Sequence, residues 1–236
     1  MIKDYQRDKF GLFYLSKDDF EDLVEEILAD YDPELLETPK AIDIEDFVEN
    51  YLGLTIEYHK LTKDESLFGL YAFSDGCIDV YDEDDCKKIF VKKKTIVIDT
   101  MICDIDGGVY GFTLGHEAAH HICHSDVMDE IITDRTDSEH FADVCYRSNT
   151  IGKRKLETKE DWMEWQANAF SSRILMNRPA VLKLIENTLG YPVEYKSGFL
   201  KQLGPLSKLY LVTRIRDTFK VSTSAARIRL DEISGE

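Results

Sequence analysis

The chain has 236 residues, of which 43% are hydrophobic, and a formal net charge of −17. This length can bury a full core in one large domain or two small ones. The acidic charge disfavours general binding to nucleic acids or anionic membranes, but it is compatible with a basic protein partner. The first residues do not resemble a signal peptide, and no apolar run reaches the ~18 residues of a membrane span, so we expect a cytoplasmic protein. The five cysteines are odd in number and irregularly spaced, which is typical of reduced thiols.

Two helices with apolar stripes are predicted in the first quarter of the chain. The first begins at Ser16, covers residues 16–30 and is broken by the Asp-Pro pair at 32–33. The second covers residues 43–52 and stops at Gly53.

Four later segments are apolar or alternate between apolar and polar residues, as strands do. They are residues 54–61, 68–73, 77–81 and 95–99. The Ser-Asp-Gly turn between the second and third segments predicts that these two pair as a β-hairpin.

The most informative stretch is an H-E-x-x-H pattern formed by His116, Glu117 and His120. On an α-helix, residues four apart lie on one face, so both imidazoles can point at one metal ion. Glu117 lies beside them, where it can take a proton from a water molecule at the metal. Four of the six histidines lie between residues 116 and 124, which argues against a helix that carries histidines by chance.

A catalytic zinc usually needs a third protein ligand. The predicted helix 158–175 supplies Glu164, with Asn168 one turn further along. Glu164 would complete a His, His, Glu zinc site, and Asn168 would hydrogen-bond a ligand histidine and fix its tautomer. Cys123 and Cys145 flank this region, and one of them could ligate zinc in a latent form; buried thiols more often act as small hydrophobic groups.

These two motifs resemble the ImmA/IrrE family of zinc metallo-endopeptidases. The family pattern is roughly F-T-x-x-H-E-x-x-H followed by E-x-x-A-N-x-F-A-x-x-L-L-M-P, and the similarity in element order covers about residues 20–180. Ser171 departs from the pattern, and Asn-Arg at 177–178 precedes Pro179 where Met-Pro is usual. The resemblance implies a bacterial enzyme that cleaves a regulatory protein, typically a phage-type or stress-response repressor.

We therefore expect an α+β fold with a zincin-like metallopeptidase domain at residues 1–190. In it, a small antiparallel sheet would pack on helices that include the H-E-x-x-H helix. A C-terminal helical segment would follow at 191–236.

The C-terminal segment is similar to a helix-turn-helix, with predicted helices at 206–219 and 224–233. It is locally basic through Arg214, Arg216, Lys220, Arg227 and Arg229. DNA binding is open on this pattern, although the acidic chain disfavours it. The resemblance implies a packing or substrate-docking role instead, because related metallopeptidases look to carry such a segment. We expect Arg227 and Arg229 to place the segment on the catalytic domain or on a repressor.

Residues 125–157 separate the two motifs and predict little beyond a short helix at 126–132. A long insertion between ligand helices could be a lid or specificity loop, or simply surface decoration. Five side chains in or near the two motifs could stabilise an oxyanion, and the pattern does not choose among them. They are Tyr110, His121, His124, His140 and Tyr146.

The predicted function is a Zn2+-dependent endopeptidase that hydrolyses a peptide bond in a repressor-type protein. In it, Glu117 is the catalytic base and His116, His120 and Glu164 hold the metal. The alternative from another class is a zinc-containing binding module that sequesters a repressor or antitoxin-like partner without cleaving it.

Overall fold

The structure, a computed structural model, describes residues 5–83, 85–105, 108–133, 142–148 and 156–236. In this part of the chain, helices cover one face of a small mixed sheet and a two-stranded hairpin covers the other. The predicted α+β class is confirmed at this level.

Helix α1 spans Lys17–Tyr31, close to the predicted range. Ser16 and Asp19 form a capping box, in which each side chain accepts a hydrogen bond from the other residue's backbone N–H. This pairing satisfies two amides that would otherwise have no partner at the helix start. The helix buries an apolar face that contributes Phe20, Leu23, Val24, Ile27 and Leu28 to the core.

The second predicted helix is only partly regular. After the short α2 at Glu34–Glu37, α3 covers Ile44–Asp46 and continues as a π-helix over Phe47–Tyr51. Asp43 accepts a hydrogen bond from the N–H of Asp46, which caps the start. The predicted segment 43–52 is therefore helical, with a wider last turn.

The main sheet has four strands among the described residues, namely β1 at Thr55–His59, β2 at Leu67–Ala72, β5 at Thr95–Asp99 and β6 at Val144–Ser148. Their order across the sheet is β1-β5-β2-β6. β2 runs antiparallel to both neighbours, but β1 and β5 are parallel. The expectation of an antiparallel sheet is therefore wrong for one pair, and the sheet is mixed.

The predicted β-hairpin between 68–73 and 77–81 is also wrong. β3 at Gly76–Asp82 pairs with β4 at Asp85–Val91, whereas β2 lies in the main sheet. The burial of β2 explains the difference, since its last four residues are all buried and it lies between two other strands. β3 alternates between buried and solvent-facing residues, and its apolar face packs on the sheet.

Helix α4 spans Gly108–Thr133 and packs against α5 at Lys159–Leu175. Its 26 residues absorb the short helix predicted at 126–132. The two helices approach closely at Gly115, where an added Cβ would lie 2.8 Å from Ser171 Oγ. Ser171 donates a hydrogen bond to the carbonyl oxygen of Phe112 at 2.8 Å, so this hydroxyl joins α5 to α4.

The C-terminal helices are α6 at Arg178–Leu189, α7 at Pro205–Phe219 and α8 at Thr223–Ser234. Their apolar residues belong to the same hydrophobic cluster as those of α1, α4 and α5. Arg229 is fully buried, and its guanidinium binds both carboxylate oxygens of Glu21 on α1 at 2.5 and 2.7 Å. This bond agrees with the expectation that Arg229 holds the segment on the rest of the protein. Among the described residues, no helix combines the length and the apolar character that a membrane crossing requires.

Candidate metal centre

The facing sides of α4 and α5 bring three of the predicted site residues together. His116 and His120 lie one turn apart on α4 and are buried, and Glu164 reaches them from α5. Among the described residues, these three form the group of His, Cys, Asp and Glu side chains that could hold a metal ion.

The atoms of this group lie close enough together to hold one metal ion. The two Nε2 atoms of His116 and His120 are 3.2 Å apart. The Glu164 carboxylate straddles them, with one oxygen 3.4 Å from His116 Nε2 and the other 3.3 Å from His120 Nε2. Two ligand atoms of a tetrahedral zinc with bonds of about 2.0–2.1 Å lie about 3.3–3.4 Å apart. Two imidazoles and one carboxylate are also a ligand set that zinc accepts in catalytic sites.

Asn168 contacts His116, one of the two candidate ligand histidines. Its Nδ2 donates to the carbonyl oxygen of Glu164 at 2.8 Å, so its Oδ1 faces His116 Nδ1 at 3.3 Å. Because an amide oxygen can only accept, His116 carries its proton on Nδ1 in this bond. Its Nε2 lone pair is then directed at the candidate metal position.

The electrostatics of the site favour an ionised Glu164. Burial alone would raise the pKa of this carboxyl, but hydrogen bonds and positive charge from His116 and His120 lower it well below its usual range. Burial lowers the pKa of His120, but Cys145, Glu164 and Glu117 together outweigh it, and the net shift is upward. Cys145 lies on β6 within hydrogen-bond reach of His120. It is not a member of the three-residue metal group, and Cys123 is a buried thiol in the hydrophobic core.

Glu117 lies where α4 meets β2. Its side chain is fully buried, and the space beside it depends on Gly69. A Cβ at Gly69 would lie 3.1 Å from Glu117 Oε1 and 2.8 Å from Thr113 Cγ2. A glycine is therefore needed here so that the strand can pass this closely over the helix.

A series of side-chain hydrogen bonds leads from His120 away from the candidate metal position, and it was not predicted from the sequence. His120 Nδ1 lies 2.9 Å from His124 Nδ1, and His124 Nε2 lies 3.0 Å from Gln166 Oε1. Gln166 Nε2 donates to the carbonyl oxygen of Phe13 at 2.7 Å. The signal that could have revealed this series is the further histidine, one turn after His120 on the same face of α4.

Three of the candidate oxyanion-stabilising residues have other partners. Tyr110 donates to Glu45 at 2.5 Å and lies 2.7 Å from the hydroxyl of Tyr58. His121 bonds to the hydroxyl of Tyr71 at 2.8 Å. The third, His124, is fully buried in the series of hydrogen bonds described above.

Two parts of the insertion lie outside the described residues, namely 134–141 and 149–155. The candidate His140 therefore lies outside them, as does the side chain of Tyr146. The predicted lid or specificity loop falls mainly on these segments and stays a prediction.

No protein-family model matches this chain, and no curated protein matches it. The ImmA/IrrE resemblance therefore rests on the two motifs, which together supply all three side chains of the candidate metal group.

Proposed function

We propose that the protein is a zinc-dependent endopeptidase that cleaves a repressor-type regulatory protein. One observation carries the proposal: the Nε2 atoms of two histidines on α4 lie 3.2 Å apart, each is 3.3–3.4 Å from an oxygen of the carboxylate on α5, and the three side chains could therefore hold one metal ion. The residue that follows the first histidine in sequence is a buried glutamate, Glu117, whose carboxylate can act as the proton acceptor in peptide hydrolysis.

Each residue of the site has a separate task. A zinc ion bound by His116, His120 and Glu164 would polarise a peptide carbonyl and lower the pKa of a water molecule. Glu117 accepts the proton of the attacking water and delivers it to the nitrogen of the leaving amine. Asn168 keeps the proton of His116 on Nδ1, which leaves Nε2 available as a ligand.

The position of β6 supports an extended peptide as substrate. Among the described strands, β6 lies at the edge of the sheet and pairs with β2, and its residue Cys145 lies beside the candidate ligand His120. A peptide that added to the outer edge of this strand would run past the metal group. The net charge of −17 favours a basic partner, such as a DNA-binding repressor.

The test compares the parent with Glu117→Gln on candidate helix-turn-helix repressors from the same host. Glu117→Gln keeps the shape and removes the proton acceptor, so zinc content should persist while cleavage falls by about 10²–10⁴-fold. Glu164→Gln should lower zinc content, because it removes an anionic ligand. Glu160→Gln is the matched control, since this exposed residue lies one turn earlier on α5 and should change neither measurement.

Three results would contradict the proposal. Equal cleavage by Glu117→Gln and the parent would remove the proposed base. Unchanged zinc content in Glu164→Gln would place the third ligand elsewhere. A repressor that both proteins capture intact would instead support the binding module.

A further inference from the structure

Within the described part of the chain, the Nδ1 atom of His120 contacts neither a carboxylate nor a backbone carbonyl. It faces a second histidine, and that histidine leads through a glutamine side chain to the backbone of the N-terminal segment. We propose that His124 and Gln166 are positioning residues that fix the tautomer of His120 and so hold its Nε2 lone pair toward the metal position.

The direction of each hydrogen bond follows from one fixed acceptor. The Phe13 carbonyl can only accept, so the Gln166 atom 2.7 Å from it must be the amide nitrogen. Gln166 Oε1 is then the atom that faces His124 Nε2, and an amide oxygen also only accepts. His124 therefore carries its proton on Nε2 in this bond.

The proton position on His124 determines the proton position on His120. A neutral His124 with its proton on Nε2 has a bare Nδ1, which can only accept. The atom 2.9 Å away, His120 Nδ1, must therefore be the donor. With that proton held at Nδ1, the metal-facing Nε2 of His120 is the nitrogen left to act as a ligand.

The surroundings of His124 favour its neutral form, which this series of hydrogen bonds requires. The residue is fully buried, and a charged imidazole is costly to bury without an anionic partner. A protonated His124 would present an N–H to His120 Nδ1, and the two donors would repel each other. Gln166 is also almost fully buried, at 3% exposure, so water does not compete freely for its amide.

The two ligand histidines are thus oriented in a similar way, each by a side-chain amide. Asn168 orients His116, and Gln166 orients His120 through His124. Both amides belong to α5, and each is anchored by donating to a backbone carbonyl. This relay of hydrogen bonds from Gln166 through His124 to His120 rests on the proposed metal site, but the position of the proton on His124 can be measured in the metal-free protein.

The first experiment reads the tautomers directly. Long-range ¹H–¹⁵N correlation spectra of ¹⁵N-histidine-labelled full-length protein distinguish protonated from bare ring nitrogens. With zinc removed by chelation, we expect His124, assigned through the His124→Gln variant, to carry its proton on Nε2. After zinc is added, His116 and His120 should both carry theirs on Nδ1. His124 protonated on Nδ1 would overturn the proposal.

The second experiment measures zinc affinity by competition with a chromophoric chelator. His124→Leu and Gln166→Leu should each weaken zinc binding by about 10–100-fold, the usual cost of losing a partner of a ligand. His124→Gln can still accept from His120 and donate to Gln166, so it should recover most of the loss. Ser171→Ala is the matched control, because it removes a partly buried hydrogen bond between α4 and α5 that does not involve the histidines.

The outcomes separate the relay from the proposed function. If His124→Leu binds zinc as tightly as Ser171→Ala, the relay is refuted while the metal site stands. If the parent binds no zinc, the proposed function fails, and the spectra of metal-free parent and Gln166→Leu decide the relay alone. A single Nε2-protonated form of His124 that becomes a mixture in Gln166→Leu supports it, and identical spectra overturn it.

Discussion

Replacing Arg229 with methionine should strongly destabilise the protein, because its guanidinium is buried and paired. It donates to both oxygens of Glu21 at 2.5 and 2.7 Å and to the carbonyl oxygen of Met176 at 2.9 Å. Removing one partner of a buried ion pair costs about 3–5 kcal/mol. Arg173 Nε stays 3.1 Å from Glu21 and still compensates part of its charge, so we expect the free energy of unfolding to fall by about 3 kcal/mol.

This cost can be measured by thermal and urea unfolding of the full-length chain. For a protein of this size, 1 kcal/mol shifts Tm by about 2–4 °C, so Arg229→Met should lower Tm by about 6–12 °C. Arg227→Met, on the same helix but exposed, is the control and should stay within about 0.5 kcal/mol of the parent. In the double variant with Glu21→Met no buried carboxylate is left behind, so the two effects should fall short of additivity by about 2 kcal/mol. Additive effects, or an Arg229→Met cost below about 1 kcal/mol, would refute this account of the pair.

Two further predictions concern the surroundings of the metal group. Gly69→Ala should lower the free energy of unfolding by about 1–3 kcal/mol and reduce cleavage, because the added Cβ would press on Thr113 and Glu117. Gly204→Ala is the control, since no atom lies within 4 Å of the Cβ added there. Equal melting temperatures of the two variants would refute the steric argument. Burial, Lys94 and Lys93 lower the pKa of His121 to about 4, so the unfolded chain binds more protons than the folded one between about pH 4 and 6.5. The stability of the metal-free protein should therefore fall as the pH drops through this range. Urea unfolding at pH 7 and pH 5 should show a smaller loss of stability for His121→Gln than for the parent. An equal loss in both proteins would contradict the lowered pKa of His121.

The helices were predictable because their signals are local. Ser16 and Thr158 each start a helix with an acid three residues later, and both helices begin where these caps predict. The strand pairing was not predictable in this way. The turn at 74–76 marks a chain reversal, but the partners of β2 are β5 and β6, which lie far from it in sequence. A continuously apolar strand needs cover on both faces, and the apolar run from Leu70 to Phe73 was the available sign that β2 is central.

The candidate metal group was predictable from helical spacing, which places its three side chains on facing sides of two helices. Asn168 followed from the same rule, one turn after Glu164. The series of hydrogen bonds through His124 and Gln166 was beyond that rule because it ends on the backbone of Phe13, which is 153 residues from Gln166 in sequence. Spacing along one helix reports which residues share a face, whereas a partner from a distant loop depends on the tertiary fold.

The C-terminal helices cannot be tested as a docking module by deletion. They contribute Leu211, Ile215 and Ile233 to the common core, and Arg229 pairs with α1. Their removal would expose apolar surface and leave Glu21 with an incomplete set of partners, so lost cleavage would report misfolding as readily as lost docking.

Exposed residues of the same helices give a cleaner test of docking. Arg227, Leu209 and Tyr210 face solvent, so their substitution by alanine should leave Tm nearly unchanged. If this surface contacts a repressor, such variants should cleave the repressor more slowly and a short unstructured peptide at the parental rate. Parental rates on both substrates would exclude these residues from docking, and a tight, sequence-selective DNA complex that depends on Arg227 would instead make the segment a DNA-binding element.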